Sequence, residues 1–341
     1  MSITPCLAER TGNYPGGLRE MSFVEEFCLP FLLRAQNADG GWGYMPGFAS
    51  GVEPTSWAVL ALCGAPPGKA LGHAVALGRL WLRRAQLQDG SWPAFVGQHE
   101  GCWATALACL ALKDQQESRD SVARGVRWLC DVWPADHALW WRLASRLRRR
   151  PAISRQDSSL HGWGWTPGTA SWVEPTSYSL ILLKALHREL LPLSSVKRMR
   201  LAEAMLYDRI CQRGGWNAGN PMVYAAAGIP SVIPTAWALL ALLEHHDRPE
   251  NRKSLNWLAS AFPEIQGPGS LALAHLCLHA HGRVAPVNRN AKFETGNSSP
   301  TLEDSFRRQH ALNEFLLNVV VVAWATIALR GVPDWVTKID A

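Results

Sequence analysis

The phrase GWGYMPGFASGVEPTS at residues 41–56 returns as GWGWTPGTASWVEPTS at residues 162–177, with twelve of sixteen positions identical. A chain that repeats itself so closely is built from stacked units, and its fold must satisfy the repeat before anything else. Aligned on the tryptophan after a glycine turn, four copies appear: Trp42 in AQNADGGW, Trp92 in AQLQDGSW, Trp163 in LHGWGW and Trp216 in CQRGGW. Thr55, Thr105 and Thr176 each follow their tryptophan by thirteen residues, and Thr235 follows Trp216 by nineteen, with NPMVYAAAG accommodating the excess. A short apolar run follows every threonine: TSWAVLALCG, TALACLAL, TSYSLILLKAL and TAWALLALL. A weaker fifth copy without the tryptophan covers 254–282, and the apolar run at 315–329 closes a sixth.

Each unit reads as helix, glycine-rich turn, helix. The first helix is amphipathic, as in LGRLWLRRAQ at 77–86; the second is apolar on nearly every side and has to be buried on every side. Five or six such hairpins meet that demand when the apolar helices form an inner ring and the amphipathic ones an outer ring. The expectation is therefore an all-α, α/α toroid forming one domain over residues 1–341, with a superhelical solenoid as the structural alternative. Composition agrees: 48% of residues are hydrophobic and only 18% charged, so much of the surface is internal. Seventeen Trp against five Tyr points to stacked structural aromatics or a lined apolar cavity.

The net charge of +6 is concentrated. Arg142, Arg146, Arg148, Arg149, Arg150 and Arg155, less Asp157, give +5 within 142–157, so the rest of the chain is close to neutral and a nucleic-acid partner is not indicated. This tract lies in an insertion near 136–159 that lengthens the third unit. Its Trp140, Leu143, Ala144 and Leu147 share a helical face against arginines, the pattern of a helix that lies on an anionic membrane surface through 140–150. A solvated surface helix has the same pattern. The stretch 281–305 is polar and aperiodic and reads as a long loop. Eight cysteines without a C-x-x-C pair, mostly in apolar helices, and an N-terminus without an apolar signal core suggest a cytoplasmic protein, peripheral to the membrane if the basic tract docks.

The turns Gln36–Trp42 and Gln86–Trp92 resemble the QW motifs of squalene–hopene and oxidosqualene cyclases. The repeat length and alanine–leucine inner helices look like the same superfamily, which includes protein prenyltransferase β subunits and class II diterpene cyclases. The resemblance covers roughly residues 20–280 and implies the toroid. It also implies an isoprenoid-processing enzyme of the isomerase or lyase type, starting carbocation chemistry with an acid. The departures are specific. Those cyclases carry Asp-x-Asp-Asp at the start of an inner helix, and this chain has no such motif; Glu53 and Glu174 in VEPTS are the nearest positional match. The Asp-x-Cys of the prenyltransferase zinc site is also missing. His275 and His279 have i, i+4 spacing that suits a metal or ordinary helix histidines, and no further ligand is placed.

Two readings of Glu53 and Glu174 stay open. Pro54 and Pro175 fit the first helical position, which makes the glutamates helix caps beside the positive end of a dipole. Alternatively, inner helices that all point one way gather their N-termini at one mouth, where a desolvated carboxyl with a raised pKa can serve as acid or base. Aromatic faces would then stabilise a cation, and Trp57, Tyr178 and Trp237, with Tyr44 and Trp165 from the turns, are the lining candidates. The same N-termini suit a diphosphate, which the glutamates repel unless Mg²⁺ bridges them. A toroid that binds an isoprenoid lipid or a partner protein without catalysis is the alternative to an enzyme.

Overall fold

The computed structural model describes residues 21–65, 68–135, 156–157, 159–223, 226–289, 301–312 and 317–337. Most of the basic insertion, including Trp140 to Arg150, and residues 290–300 of the polar loop lie outside them.

Among the described residues, six apolar helices form the inner ring: α2 (Val52–Cys63), α4 (Ala104–Leu112), α6 (Val173–Lys184), α8 (Val232–Ala241), α10 (Pro268–Ala280) and α12 (Val319–Arg330). Each packs on the next, and α12 packs back on α2, so the repeat closes into a ring and the solenoid is excluded. The amphipathic partners lie outside: α1 (Leu29–Arg34, continuing a π-helical turn at Val24–Cys28), α3 (Lys69–Arg84), α5 (Arg119–Asp131), α7 (Ser194–Asp208), α9 (Pro249–Ala261) and α11 (Leu302–Ala311). The inner helices bury nearly every residue because neighbours, outer helices and the ring centre cover all sides; α4 is buried along its whole length. A last short helix, α13 (Asp334–Thr337), leaves α12 and reaches α6, across the ring.

The repeated residues are the joints of this ring. The backbone N–H groups of Trp42, Trp92, Trp163 and Trp216 donate to the hydroxyls of Thr55, Thr105, Thr176 and Thr235 at 2.9, 2.9, 2.9 and 2.8 Å. Each indole N–H donates to a carbonyl of an outer helix, at Leu32, Leu82, Leu129 and Leu206. One buried Trp–Thr pair thus closes the turn and satisfies carbonyls that a helix C-terminus leaves open. Gln36 Nε2 donates to Gly40 O in its own turn and to Ala74 O in α3; Gln86 repeats this with Gly90 O and Ser121 O in α5. Gly40, Gly90 and Gly214 share a positive φ (93°, 91° and 88°) where the turn presses on the next outer helix, so a side chain there is excluded twice over.

A second seam runs around the inner-helix N-termini. The N–H of Val52 donates to Ala94 O, that of Trp103 to Trp165 O, that of Val173 to Ala218 O, and that of Val319 to Tyr44 O. These donors, three of them first helical residues, have no partner in their own helices and are used to tie each unit to the next. The last bond joins the sixth unit to the first.

Some expectations need correction. Pro54, Pro175 and Pro234 occupy the third helical position, because the helices begin at Val52, Val173 and Val232. That position needs no intrahelical donor either, so proline is tolerated. The segment read as loop to 305 turns helical at Leu302, where Thr301 and Asp304 form a reciprocal capping box. Six described cysteines are buried, while Cys63 is exposed at the end of α2. No helix of the described residues is long and apolar enough to cross a membrane.

Candidate active site

The mouth formed by the inner-helix N-termini gathers the candidate residues. Glu53 and Glu174 are the second residues of α2 and α6, and neither helix has a side-chain cap hydrogen bond. The N-caps are Gly51 and Trp172, whose side chains have no oxygen to cap with, and both glutamates lie in the first turn, where the helix dipole favours charge. Glu53 Oε2 accepts the Tyr44 hydroxyl at 2.5 Å. Burial pushes the Glu53 pKa up, while the Tyr44 hydrogen bond and the nearby Trp57 indole N–H pull it back. That indole N–H is close enough to favour the carboxylate but has no acceptor in full hydrogen-bonding geometry.

Glu174 is raised to about 7, first by burial and then by the charge of Glu53. The charge of one carboxyl disfavours ionisation of the other, and Glu174 carries its proton in part at neutral pH. Glu53 has the Tyr44 hydroxyl to stabilise its charge, which makes Glu174 the candidate for the protonated member. Burial first, then the charges of Glu53 and Glu174, also raise the Tyr178 phenol far above its ordinary range, so it stays neutral.

Behind the carboxyls the ring centre is aromatic. Trp57 stacks on Trp237 with centroids 5.3 Å apart and meets Tyr178 edge-on at 6.3 Å; Tyr178 meets Trp237 at 5.1 Å. Three of the five proposed lining residues are thus brought together from the first, third and fourth units. They touch one another rather than framing an open space: Trp57 and Trp237 are each 1% exposed. Tyr44 belongs to the glutamate instead, and Trp165 stays in the mouth loops, edge-on to Trp103 at 5.2 Å.

Two members of the cluster escaped the sequence reading. Trp324 of α12 lies 5.8 Å from Trp57 and 5.9 Å from Trp237, and Trp335 of α13 lies 6.2 Å from Trp57. Trp324 was discoverable from its place in the sixth apolar run. Trp335 follows the last repeat and carried no signal.

Other candidate groups are differently used. His275 and His279 face each other at 6.0 Å on a groove of about 590 Å³ between α10 and α11. Burial lowers His275 to about 4, and among the described residues no group of three ligating side chains includes either histidine. Glu203, Glu244 and His245 do converge, but Lys184 Nζ bridges Glu203 at 2.7 Å and Glu244, occupying the cation position itself.

A closed ring of helical hairpins with acids at the inner-helix N-termini defines a fold, and that fold is the one adopted by type II terpene cyclases. The cyclase MstE from Scytonema, in a variant bound to its product merosterolic acid A, matches with a TM-score of 0.50 over 89% of this chain and 95% of that one, at 13% identity. A second MstE variant, bound to its substrate geranylgeranyl dihydroxybenzoate, gives 0.51 over 89% and 96% at 14% identity. A protein from Actinoplanes gives 0.50 over 88% and 97% at 17% identity. In sequence, drimenyl diphosphate synthase from Streptantibioticus cattleyicolor is 38% identical over 89 residues, which is 26% of this chain and 16% of that enzyme. No protein-family model matches the chain.

Proposed function

We propose that this protein is an isoprenoid cyclase of the type II kind, acting on a polyprenyl or prenyl diphosphate chain through acid-initiated carbocation chemistry. The observation that carries the proposal is a pair of half-buried carboxyls, both raised by burial and one of them also by the charge of the other, beside a cluster of aromatic faces. Glu174, whose protonated form is populated at neutral pH, donates its proton to a terminal alkene or epoxide. The substrate's π electrons close the ring and leave a carbocation, which the faces of Trp57, Tyr178 and Trp237 stabilise. Loss of a proton from the cation to Glu53 regenerates an alkene, and proton exchange within the pair restores Glu174. No net proton is consumed, so the reaction is an isomerisation. A carboxyl is a weaker acid than the Asp-x-Asp-Asp arrangement, which favours epoxides or electron-rich alkenes as substrates. A diphosphate head would sit away from the two glutamates, or reach them bridged by Mg²⁺.

The contact between Trp57 and Trp237 supports a second reading, a toroid that binds an apolar chain or a partner protein without catalysis, because the rings fill the space that a substrate would need. Incubation with squalene, an epoxidised polyprene and prenyl diphosphates, with and without Mg²⁺, separates the two. Cyclised product from the wild type, lost in Glu174→Gln and in Glu53→Gln, is expected. Turnover unchanged in both variants removes the acid role, and retention of ligand without product leaves the binding reading.

A further inference from the structure

The ring has two mouths, and they are closed in different ways. Around the glutamate mouth, backbone bonds such as Val52 N–H to Ala94 O and Val319 N–H to Tyr44 O tie unit to unit, so widening it breaks hydrogen bonds. The far mouth, at the C-terminal ends of the inner helices, is closed by the side chains of α13. Trp335 and Val336 are buried there, and the Val336 N–H bonds back to Pro333 O within the same segment. Gly331, at its φ of 100°, sets the turn from α12 into this segment. Moving one four-residue helix about that glycine opens the far mouth and leaves the joints and the seam of the ring in place. Trp335 also reaches deep. Glu53 and Cys63 stand at the two ends of α2, about 15 Å apart along its axis, and Trp57, midway between them, has its ring 6.2 Å from that of Trp335. The indole thus occupies the ring centre from the far mouth inward to Trp57.

A depression of about 360 Å³ lies beside this indole, bordered by Trp335 itself and by Leu60, Leu110 and Ile327 from the ends of three inner helices. Its charged residues are two arginines and two aspartates. Arg330 and Arg79 donate to the helix-end carbonyls Ala61 O and Ala111 O, and Asp114 pairs with Lys113. The arginines therefore hold helix C-termini, and the balanced charges select no ionic guest. What the depression offers is apolar contact that leads to the Trp335 indole. An apolar chain that displaces this indole covers Trp57 in its place, so little apolar surface is left bare by the exchange.

We propose that the far mouth is the entry port for an isoprenoid chain, with α13 as its gate. The chain seats in the depression, α13 swings out about Gly331, and the tail replaces the Trp335 indole against Trp57 with its end toward the two carboxyls. The choice of guest rests on the function proposed above; the gate is read without turnover. Cys63 and Asp334 are both exposed and both border the depression, so Asp334→Cys is joined to the native Cys63 thiol by a flexible bismaleimide, and mass spectrometry confirms the joined peptides. Uptake of geranylgeraniol is followed by stopped-flow tryptophan fluorescence. The joined protein should take up the alcohol about tenfold more slowly or worse, because association that needs a conformational change is lost when the change is blocked. Asp334→Cys with both thiols capped by N-ethylmaleimide should match the wild type. A second measurement needs no crosslink: Val336→Cys, buried in the closed gate, should react with a thiol reagent several-fold faster when geranylgeraniol is present. Equal uptake by the joined and the capped protein, labelling of Val336→Cys that the alcohol leaves unchanged, or no uptake by the wild type overturns the proposal. Gated uptake without any cyclised product upholds the gate and removes the acid chemistry, and cyclised product formed by the joined protein at the wild-type rate does the reverse.

Discussion

The Tyr44 hydroxyl donates to Glu53 Oε2 at 2.5 Å, joining the turn of the first unit to the start of its inner helix at the mouth of the ring. This bond stabilises the carboxylate against burial. Tyr44→Phe removes the donor and leaves the ring in place. The Glu53 pKa should rise further, and any activity limb that depends on ionised Glu53 should move to higher pH. Stability should fall by about 1–2 kcal/mol, the cost of losing a charge-assisted hydrogen bond. Carboxyl titration by carbon NMR against Glu53→Gln identifies the shifting signal; a Tyr44→Phe titration identical to wild type would count against the pairing.

Glu174 makes a prediction about stability and pH. Its folded value of about 7 lies above the ordinary 4.5, so the folded state binds the proton more tightly than the unfolded chain. The associated stability is fully present below about pH 4.5 and is lost as pH rises through 7. The loss is on the order of 3 kcal/mol for this group alone. Glu174→Gln, which cannot ionise, should therefore gain on the wild type as pH rises. Melting curves at pH 5 and pH 8 check this, and a wild-type-minus-variant difference that does not change with pH rules it out.

The threonine joint is testable in isolation. Thr55→Val keeps the shape of the side chain but leaves the Trp42 N–H, and one lone pair of its carbonyl, without the hydroxyl. The expected loss is about 1–3 kcal/mol, the cost of a buried donor left unsatisfied, while Thr55→Ser should lose less. The same pair of changes at Thr235, three units around the ring from the first, should cost similarly and add, because the two joints share no partner. Urea denaturation of the single and double variants gives the numbers.

The sequence made the ring legible because the joints are repeated: a tryptophan, a threonine and a glycine recur where a turn, a staple and a left-handed backbone are needed. The two glutamates were visible for the same reason, but repetition could not say whether they cap helices. That depended on Tyr44, whose position relative to Glu53 is set by the turn rather than by helical spacing. The aromatic cluster was half legible. Trp57, Tyr178 and Trp237 follow the threonines by two residues and share a register, so their convergence followed from the toroid. That they meet across the centre depends on side-chain size against ring diameter, which periodicity does not encode. Trp335 was hidden because it belongs to no repeat.

Trp335 also decides what the ring centre is for. It is 9% exposed, lies 6.2 Å from Trp57, and is carried by α13 after Gly331, whose φ of 100° turns the chain away from α12 and across the ring. Trp335→Ala removes one wall of the aromatic cluster and should cost about 3–5 kcal/mol if nothing refills the space. An apolar chain that uses the centre should then bind more readily, because it no longer has to displace an indole. Tryptophan fluorescence titrated with geranylgeraniol reads this directly: tighter binding by Trp335→Ala, with ligand restoring part of the lost melting temperature, is expected for a centre that receives an isoprenoid tail. A destabilised variant that binds no better than wild type would instead make the cluster an ordinary core, and the carboxyl pair would then need a substrate that approaches from the mouth alone.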